Sequence, residues 1–327
     1  MLPARTAVLV NTDFLARPDA PGYACDAAVL DTARAIAEVL RSLHVDVAQI
    51  EVAESLDGLP AQLRGYETVF NLVESIDGDY GREWEVPELL DRIGVRYTGN
   101  GLRTLQLCQE KDRARTLLIE AGVRVAPGVV VQDELPEVGY PCFVKPARVD
   151  GSIGIDAGSR CVDRAALAAR LAKLRAELPG PYLVEAYLPG KEINVALFPE
   201  PARGHVVPTE IDFSPLPPEL PRFVTYDSKW NPESPEYVTK SVPAVLDAAL
   251  RREVEQLARE AFLALAGSSY GRVDMRLDAE GRPCVIDVNP NNDLHPEAGL
   301  AVAARSVGVD YAALIGGILA RAHERDR

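Results

Sequence analysis

Apolar positions along this chain alternate between two rhythms, continuous short runs and helical spacing. Residues 6–11 (TAVLVN) read as a buried strand, and residues 26–43 carry apolar positions at helical spacing. Residues 45–52 and 68–73 predict two more strands, and a helix is expected over about 83–93. Strand–helix alternation of this kind predicts a parallel sheet flanked by helices. The segment GVRYTG at 94–99 closes a first α/β unit, 1–100.

A second unit, 101–180, opens with two helical stretches, GLRTLQLCQ and KDRARTLLIEAG, the latter capped by Gly122. Strands are expected near 128–131, 141–145 and 158–162, a loop at 146–154, and an Ala/Leu-rich helix over 163–177. The third unit, 181–327, predicts strands near 181–188, 191–198 and 205–213, then a Pro-rich loop from 214 to 243. A long helix over 244–265 leads to strands at 270–277 and 283–289, and helices at 298–306 and 310–325 finish the chain.

The length of 327 residues suits about two domains or three small ones. A balance of 35 basic against 49 acidic residues, net −14, argues against a nucleic-acid partner, which would call for a basic excess. It leaves room for an anionic small molecule in a local basic groove. No stretch reaches the 18 or more apolar residues of a membrane helix, and no signal peptide is read at the N-terminus. The five cysteines are odd in number and widely spaced with no CxxC, so free thiols in a reducing cytoplasm are expected.

The two late strands carry the most chemistry. In GRVDMRLD, Val273, Met275 and Leu277 alternate with Arg272, Asp274 and Arg276; in VIDVN, Ile286 and Val288 alternate with Asp287 and Asn289. The apolar set packs inward, which leaves Arg272, Asp274, Asp287 and Asn289 on the opposite face. Joined by the turn DAEGRP, the two polar rows become neighbours. Two carboxylates and an amide oxygen there suit Mg²⁺, which takes its other ligands from phosphate and water. The same pattern also suits a hairpin with one solvated face.

Other candidates lie upstream. Lys145 ends a strand and is followed by a turn containing Gly151, Ser152 and Gly154, able to point N–H groups at a phosphate, although no GxxxxGK[ST] loop exists. In PYLVEAYLPGKE, Glu185 and Glu192 bracket a backbone hinge that can offer N–H and C=O to a base, with Glu192 accepting from ribose hydroxyls. Lys111 opens a helix, where the dipole disfavours a cation, and this hints at a ligand.

Together these blocks resemble the ATP-grasp superfamily of the D-alanine–D-alanine ligase type, over nearly the whole chain. VFNLVES…YGREWEVPELLDRIGVRYTGN looks like the segment running into that family's PYTG turn. KDRARTLLIEAGV, FVKPARVDGSIGI, LVEAYLPGKEINVALF, FVTYDSKW and GRVDMRLD…CVIDVNP follow in the family's order. The resemblance implies a three-subdomain ATP-grasp fold behind an N-terminal parallel-sheet domain. It implies that Lys111 and Lys145 contact ATP phosphates, Glu185 and Leu188 flank the adenine hinge, and Glu192 holds the ribose. Ser152 would cover the β- and γ-phosphates, and Lys229 would reach the γ-phosphate when its loop closes. Arg272 would stabilise the transferring phosphoryl group, and Asp274, Asp287 and Asn289 would bind two Mg²⁺. The family usually has Glu where Asp287 stands.

The implied reaction is carboxylate–amine ligation through an acyl phosphate, with ADP released and no nucleophilic Ser or Cys. The substrate end departs from the family. NPNNDLHPEAGL replaces a Pro-Gly-Met turn that ends in a carboxylate-clamping Ser, with no Ser match near Ala298; Asn291 in this segment is a candidate substrate residue. The first-domain Gly-Gly…Ser-x-Glu is missing, with Asp26 as a candidate replacement, and Glu74 stands at the family's His. A carboxylate at 74 favours a cationic or amine-bearing substrate. A ligase for a small acid and amine other than two D-alanines is therefore expected. An authentic D-alanine–D-alanine ligase, a non-catalytic nucleotide binder and a kinase that stops at phosphorylation are the alternatives. The resemblance also implies a homodimer through the first domain.

Overall fold

The computed structural model describes residues 1–16, 18, 23–149, 151–199 and 204–324, with the side chains of 24–26 outside that description. Asp26 is one of these, so its expected role falls outside the described residues.

The first unit contains β1 (Arg5–Asn11), α1 (Tyr23–Ser42), β2 (Asp46–Val52), α2 (Leu59–Gln62), β3 (Thr68–Leu72), α3 (Glu85–Ile93) and β4 (Arg96–Tyr97). The strands form a parallel sheet in the order β2-β1-β3-β4. Alternate residues of β1 feed two cores. Ala7 and Leu9 pack with Val86, Leu89 and Leu90 of α3. Val8 and Val10 pack with Ile36 and Leu40 of α1 and with residues from the far end of the chain. A strand buried on both faces explains the unbroken apolar run in 7–10.

Next come α4 (Leu102–Gln109), α5 (Lys111–Glu120), β5 (Gly128–Val131), β6 (Cys142–Pro146), β7 (Arg160–Cys161), α6 (Arg164–Glu177) and β8 (Tyr182–Ala186). The four strands form an antiparallel sheet ordered β5-β8-β6-β7, with Leu167, Leu171 and Leu174 of α6 packed against Val144, Tyr182 and Val184. Residue 180 therefore does not separate two sheets, because β8 pairs with both β5 and β6. Nor do α4 and α5 join this sheet: Leu107, Ala114 and Leu118 pack into the core of the third unit.

That unit holds β9 (Glu192–Phe198), β10 (His205–Asp212), α7 (Tyr226–Trp230), β11 (Lys240–Pro243), α8 (Ala248–Ala264), β12 (Gly271–Leu277), β13 (Pro283–Pro290), α9 (Gly299–Ser306) and α10 (Tyr311–His323). Its sheet is antiparallel in the order β11-β10-β9-β12-β13. The stretch 214–243, expected as one loop, contains α7 and the edge strand β11. A capping box between Thr225 and Ser228 starts α7, which its few apolar residues do not announce. The sheet buries Ile193, Val195, Val273, Met275 and Val288 against α8. α9 and α10 return to the first unit, where Leu300, Leu314 and Ile318 join Val8 and Phe70. No single helix among the described residues is long and apolar enough to cross a membrane.

Candidate active site

A cavity of about 820 Å³ lies between the second and third units. It is bordered by Lys111, Lys145, Ser152, Glu185, Leu188, Glu192, Lys229, Arg272, Asp274, Asp287 and Asn289. These residues come from α5, β6, β8, β9, α7, β12, β13 and two loops, and only packing brings them together.

Strand alternation does most of the positioning. On β12, Val273, Met275 and Leu277 enter the core while Arg272, Asp274 and Arg276 border the cavity. Asp274 lies directly across from Asp287, and Arg272 across from Asn289. A bulge follows Asp274 and shifts the register, which leaves Ile286 without a partner in the ladder. Ile286 was expected in the apolar core row. It packs beside Leu188 and Cys284 rather than under α8 and borders the cavity, and its carbonyl accepts a hydrogen bond from Lys145 Nζ at 2.8 Å.

The cations are tied into this frame. Lys145 Nζ also lies 3.2 Å from Glu185 Oε1, with both side chains buried. Lys111 is 6% exposed although it begins a helix, because its side chain leaves the helix for the cleft. There Lys111 Nζ donates to the Val149 carbonyl at 3.3 Å and lies 4.0 Å from Asp287 Oδ2. Burial alone would raise the Asp287 carboxyl, but Lys111, Lys145 and Arg272 hold it below the usual carboxylate range. Arg272 forks onto Asp274 with bonds of 2.6 and 2.7 Å, and Asn289 Nδ2 donates to Asp274 Oδ2 at 2.9 Å.

The donor set suits a hard cation. Two carboxylates lie across from each other on the hairpin with the Asn289 amide beside them, its Nδ2 on Asp274, and Asp287 is held ionised. Among the described residues no group of three or more His, Cys, Asp or Glu is placed to hold a metal. Mg²⁺ takes several of its ligands from phosphate and water, so a pair of carboxylates and an amide fit what it needs from a protein. Binding at Asp274 would exchange its Arg272 contacts for the cation.

The hinge side is apolar above and charged below. Phe143, Tyr187 and Phe223 border the cavity, with edge-to-face packing of Phe223 on both partners. Arg276, 6% exposed, donates to the carbonyls of Leu188 and Gly190 and to Glu192 Oε2, at 2.9, 2.9 and 2.7 Å. One buried guanidinium therefore fixes both the hinge and the acid at its end. The phase of Arg276 with Arg272 and Asp274 along β12 is the local signal for its place on this face. The aromatic lining gave no such signal, because its members are far apart in the chain.

The loop after Lys145 is braced from two sides. Gly151, Ser152 and Gly154 have φ of 66°, 61° and 73°, an uncommon conformation for the non-glycine residue among them. Arg170 donates to the Gly154 carbonyl and to Asp156, and α7 docks against the loop. Trp230 Nε1 donates to the Gly151 carbonyl at 2.9 Å, and Tyr226 N–H to the Ile155 carbonyl at 3.0 Å. Lys229, between them on α7, is thereby carried to the cavity.

The expected substrate residues divide differently. Asn291 does not border the cavity. Its Oδ1 accepts from Asn100 N–H at 2.6 Å and from Asn100 Nδ2 at 3.2 Å, which joins the first unit to the third. A Cβ on Gly99 would lie 2.5 Å from that oxygen, so only glycine fits the turn. Glu74 also lies outside the cavity lining; its N–H donates to Asn11 Oδ1 at 3.2 Å. Burial, then the charges of Glu74, Glu83 and Asp293, push the buried Tyr270 hydroxyl up. The altered segment after Asn289 does reach the cavity, through Asp293, His295, Glu297 and Ala298. Ala298 caps α9 with no side-chain hydrogen bond.

Residues 116–320 match the family model described as D-ala D-ala ligase C-terminus. An uncharacterized protein, y4sG, of Sinorhizobium fredii is 30% identical over 260 residues, 79% of this chain and 75% of that protein. A D-alanine–D-alanine ligase of Halorhodospira halophila is 31% identical over 265 residues, covering 80% of this chain and 81% of the other. The crystal structure of D-alanine–D-alanine ligase from Bacillus anthracis complexed with ATP superposes with a TM-score of 0.74 at 18% identity, over 98% of this chain and 97% of that one.

Proposed function

The chain belongs to the D-alanine–D-alanine ligase family of ATP-grasp enzymes, and we propose that it joins a small carboxylic acid to an amine, the pair being other than two D-alanines. As a member it is an ATP-dependent, ADP-forming ligase. The observation that carries the reading is the gathering of Lys111, Lys145, Lys229 and Arg272 around Asp274 and Asp287 in one cavity.

A carboxylate is a poor electrophile, so amide formation needs an activated acyl group. Attack of the acid's oxygen on the γ-phosphorus forms the acyl phosphate and expels ADP; the amine then displaces phosphate. Phosphoryl transfer of this kind is governed by positioning and charge neutralisation. In this reading Lys111 and Lys145 hold the phosphates from below, and Ser152 with its loop N–H groups covers them. Lys229 approaches the γ-phosphate from α7, and Arg272 stabilises the transferring group and the later oxyanion. Glu185 and Leu188 flank the adenine, and Glu192, fixed by Arg276, accepts from the ribose. Asp274, Asp287 and Asn289 would hold Mg²⁺, which supplies further charge neutralisation when bound. Docking of α7 on the phosphate loop excludes water from the acyl phosphate.

Ala298 at the cap of α9 supports a substrate pair unlike that of the D-alanine ligases, because an alanine side chain cannot clamp a carboxylate. Asp293 and Glu297 at the same end favour a substrate with a cationic group. Glu74 contributes to this acidic end at longer range. Association of two copies through the first unit is part of the same reading.

The test supplies ATP, Mg²⁺ and amino acids singly and in pairs, and measures ADP release and product mass. The expected result is ADP release that needs both an acid and an amine, with one amide formed per ADP. Absence of ADP above the no-acid control overturns the ligase reading. Efficient D-alanyl-D-alanine formation from D-alanine alone overturns the departure in substrate, and a phosphorylated product without an amide points to a kinase.

A further inference from the structure

Asn194 borders the cavity without a place among the phosphate, ribose, hinge or metal contacts described above. It lies on β9, two positions after Glu192, where Ile193 and Val195 face the core and Asn194 faces the cavity. It is 7% exposed, and its Oδ1 has no hydrogen-bond partner among the described residues. Its backbone carbonyl is used, accepting from Thr209 Oγ1 at 3.0 Å, but its side-chain amide is not. The sheltered Oδ1 costs roughly 1–3 kcal/mol that no phosphate oxygen can relieve, so retention of the amide in a close-packed sheet calls for a reason at its Nδ2 end.

The register supplies one. Asn194 is the cross-strand partner of Asp274, which places their side chains on one face of neighbouring strands. Along β9 it is one pleat repeat, roughly 7 Å, from Glu192. Asn194 thus occupies the ground between the ribose acid and the carboxylate at the phosphates. Its neighbours on that face are the acceptors Glu192, Asp274 and Asp287, with Arg272 and Arg276 either side of Asp274 turned onto Asp274 and Glu192. A phosphate passing over them gains from a neutral donor. The Oδ1 end is sheltered, so the N–H₂ end is the polar end that meets the cavity.

We infer that Asn194 is a phosphate-binding residue of this site, its side-chain N–H donating to a phosphate oxygen of the nucleotide between ribose and metal. This rests on the nucleotide reading above. The donor carries no charge and so holds the chain of phosphates without competing with Asp274 for the cation.

The experiment is calorimetric binding of adenosine, MgADP and MgATP to the full chain, as wild type, Asn194→Leu and Asn194→Asp. Leu matches the shape of Asn and removes both polar atoms; thermal melting of the free protein checks that it folds. For Asn194→Leu, MgADP and MgATP binding is expected to weaken about tenfold, with adenosine within about twofold of wild type. Asn194→Asp, nearly identical in shape, is expected to weaken the phosphorylated ligands at least as much, because it sets an anion against them. An equal loss for adenosine overturns the inference in favour of a ribose or purely structural role. Unchanged MgATP binding in both variants, or tighter binding by Asn194→Asp, overturns it as well. Failure of the wild type to bind any of the three ligands overturns the nucleotide reading itself, an outcome distinct from the others.

Discussion

Asp274 is engaged three times, by two bonds from Arg272 and one from Asn289, while facing the cavity. Each is a charge-assisted hydrogen bond to the carboxylate, which Arg272 and Asn289 hold at the cavity wall until a cation takes the place of Arg272. Asp274→Asn keeps the shape and removes the charge. Turnover is expected to fall at least about a hundredfold, or ~2.7 kcal/mol of barrier, with the fold retained. Steady-state ADP release beside a thermal melt measures this, and turnover within tenfold of wild type would contradict a metal role. At this scale the sequence was informative wherever alternation ran unbroken, as for Arg272, Asp274 and Asn289. It was not where a bulge intervened, which is why Ile286 moved from the core row to the cavity. Nor could it assign Asn291, whose side-chain oxygen meets Asn100, 191 positions earlier in the chain.

α7 is the element with the least local reason to exist and the clearest consequence. Five residues long, it is stabilised by the Thr225–Ser228 capping box and by docking on the phosphate loop. The bond from Trp230 Nε1 to the Gly151 carbonyl is one link in that docking, and a hydrogen bond of this sort contributes roughly 0.5–1.5 kcal/mol. Trp230→Phe preserves the ring's packing and removes the donor. The population of the closed loop should fall by about two- to tenfold, and water should then reach the acyl phosphate more often. The readout is ADP formed per amide formed, expected to rise above one; an unchanged ratio would show that this bond does not hold the loop. Composition alone described 214–243 as Pro-rich, and proline masks short elements that depend on caps and partners.

The molecule as a whole buries many weak acids in their neutral form. Burial pushes the Cys161 thiol up to about 12 and raises those of Cys142 and Cys284. It also raises the hydroxyls of Tyr182, Tyr270 and Tyr311. In the unfolded chain these groups ionise from about 8.5 for thiols and about 10 for phenols. Because the folded values lie higher, the unfolded state loses protons first as pH rises. Their contribution is therefore fully present below about pH 8.5 and is lost as pH climbs toward 12. The urea midpoint should be flat from about pH 7 to 8.5 and fall steadily above it, and a midpoint unchanged at pH 10.5 would contradict this. Native thiols at 142 and 161 should likewise resist alkylation at pH 8 until urea unfolds the chain.

The amino-acid sequence by itself determined what period and residue type encode locally. It specified a parallel α/β first unit, the positions of the later strands, the outward row of Arg272, Asp274, Asp287 and Asn289, and the order of blocks that marks the family. Backbone geometry explains this, since alternation and helical spacing are written within a few residues. Whatever depends on distant parts of the chain meeting was set by packing in three dimensions. It placed β8 in the second sheet, sent α4 and α5 to the third core and brought α9 and α10 back to the first unit. It set Arg276 under the hinge and left the side-chain amide of Asn194 facing the cavity beside Asp274. Those outcomes follow from packing and pairing over long separations, where no local pattern carries the information and the burial of apolar surface decides which face meets which.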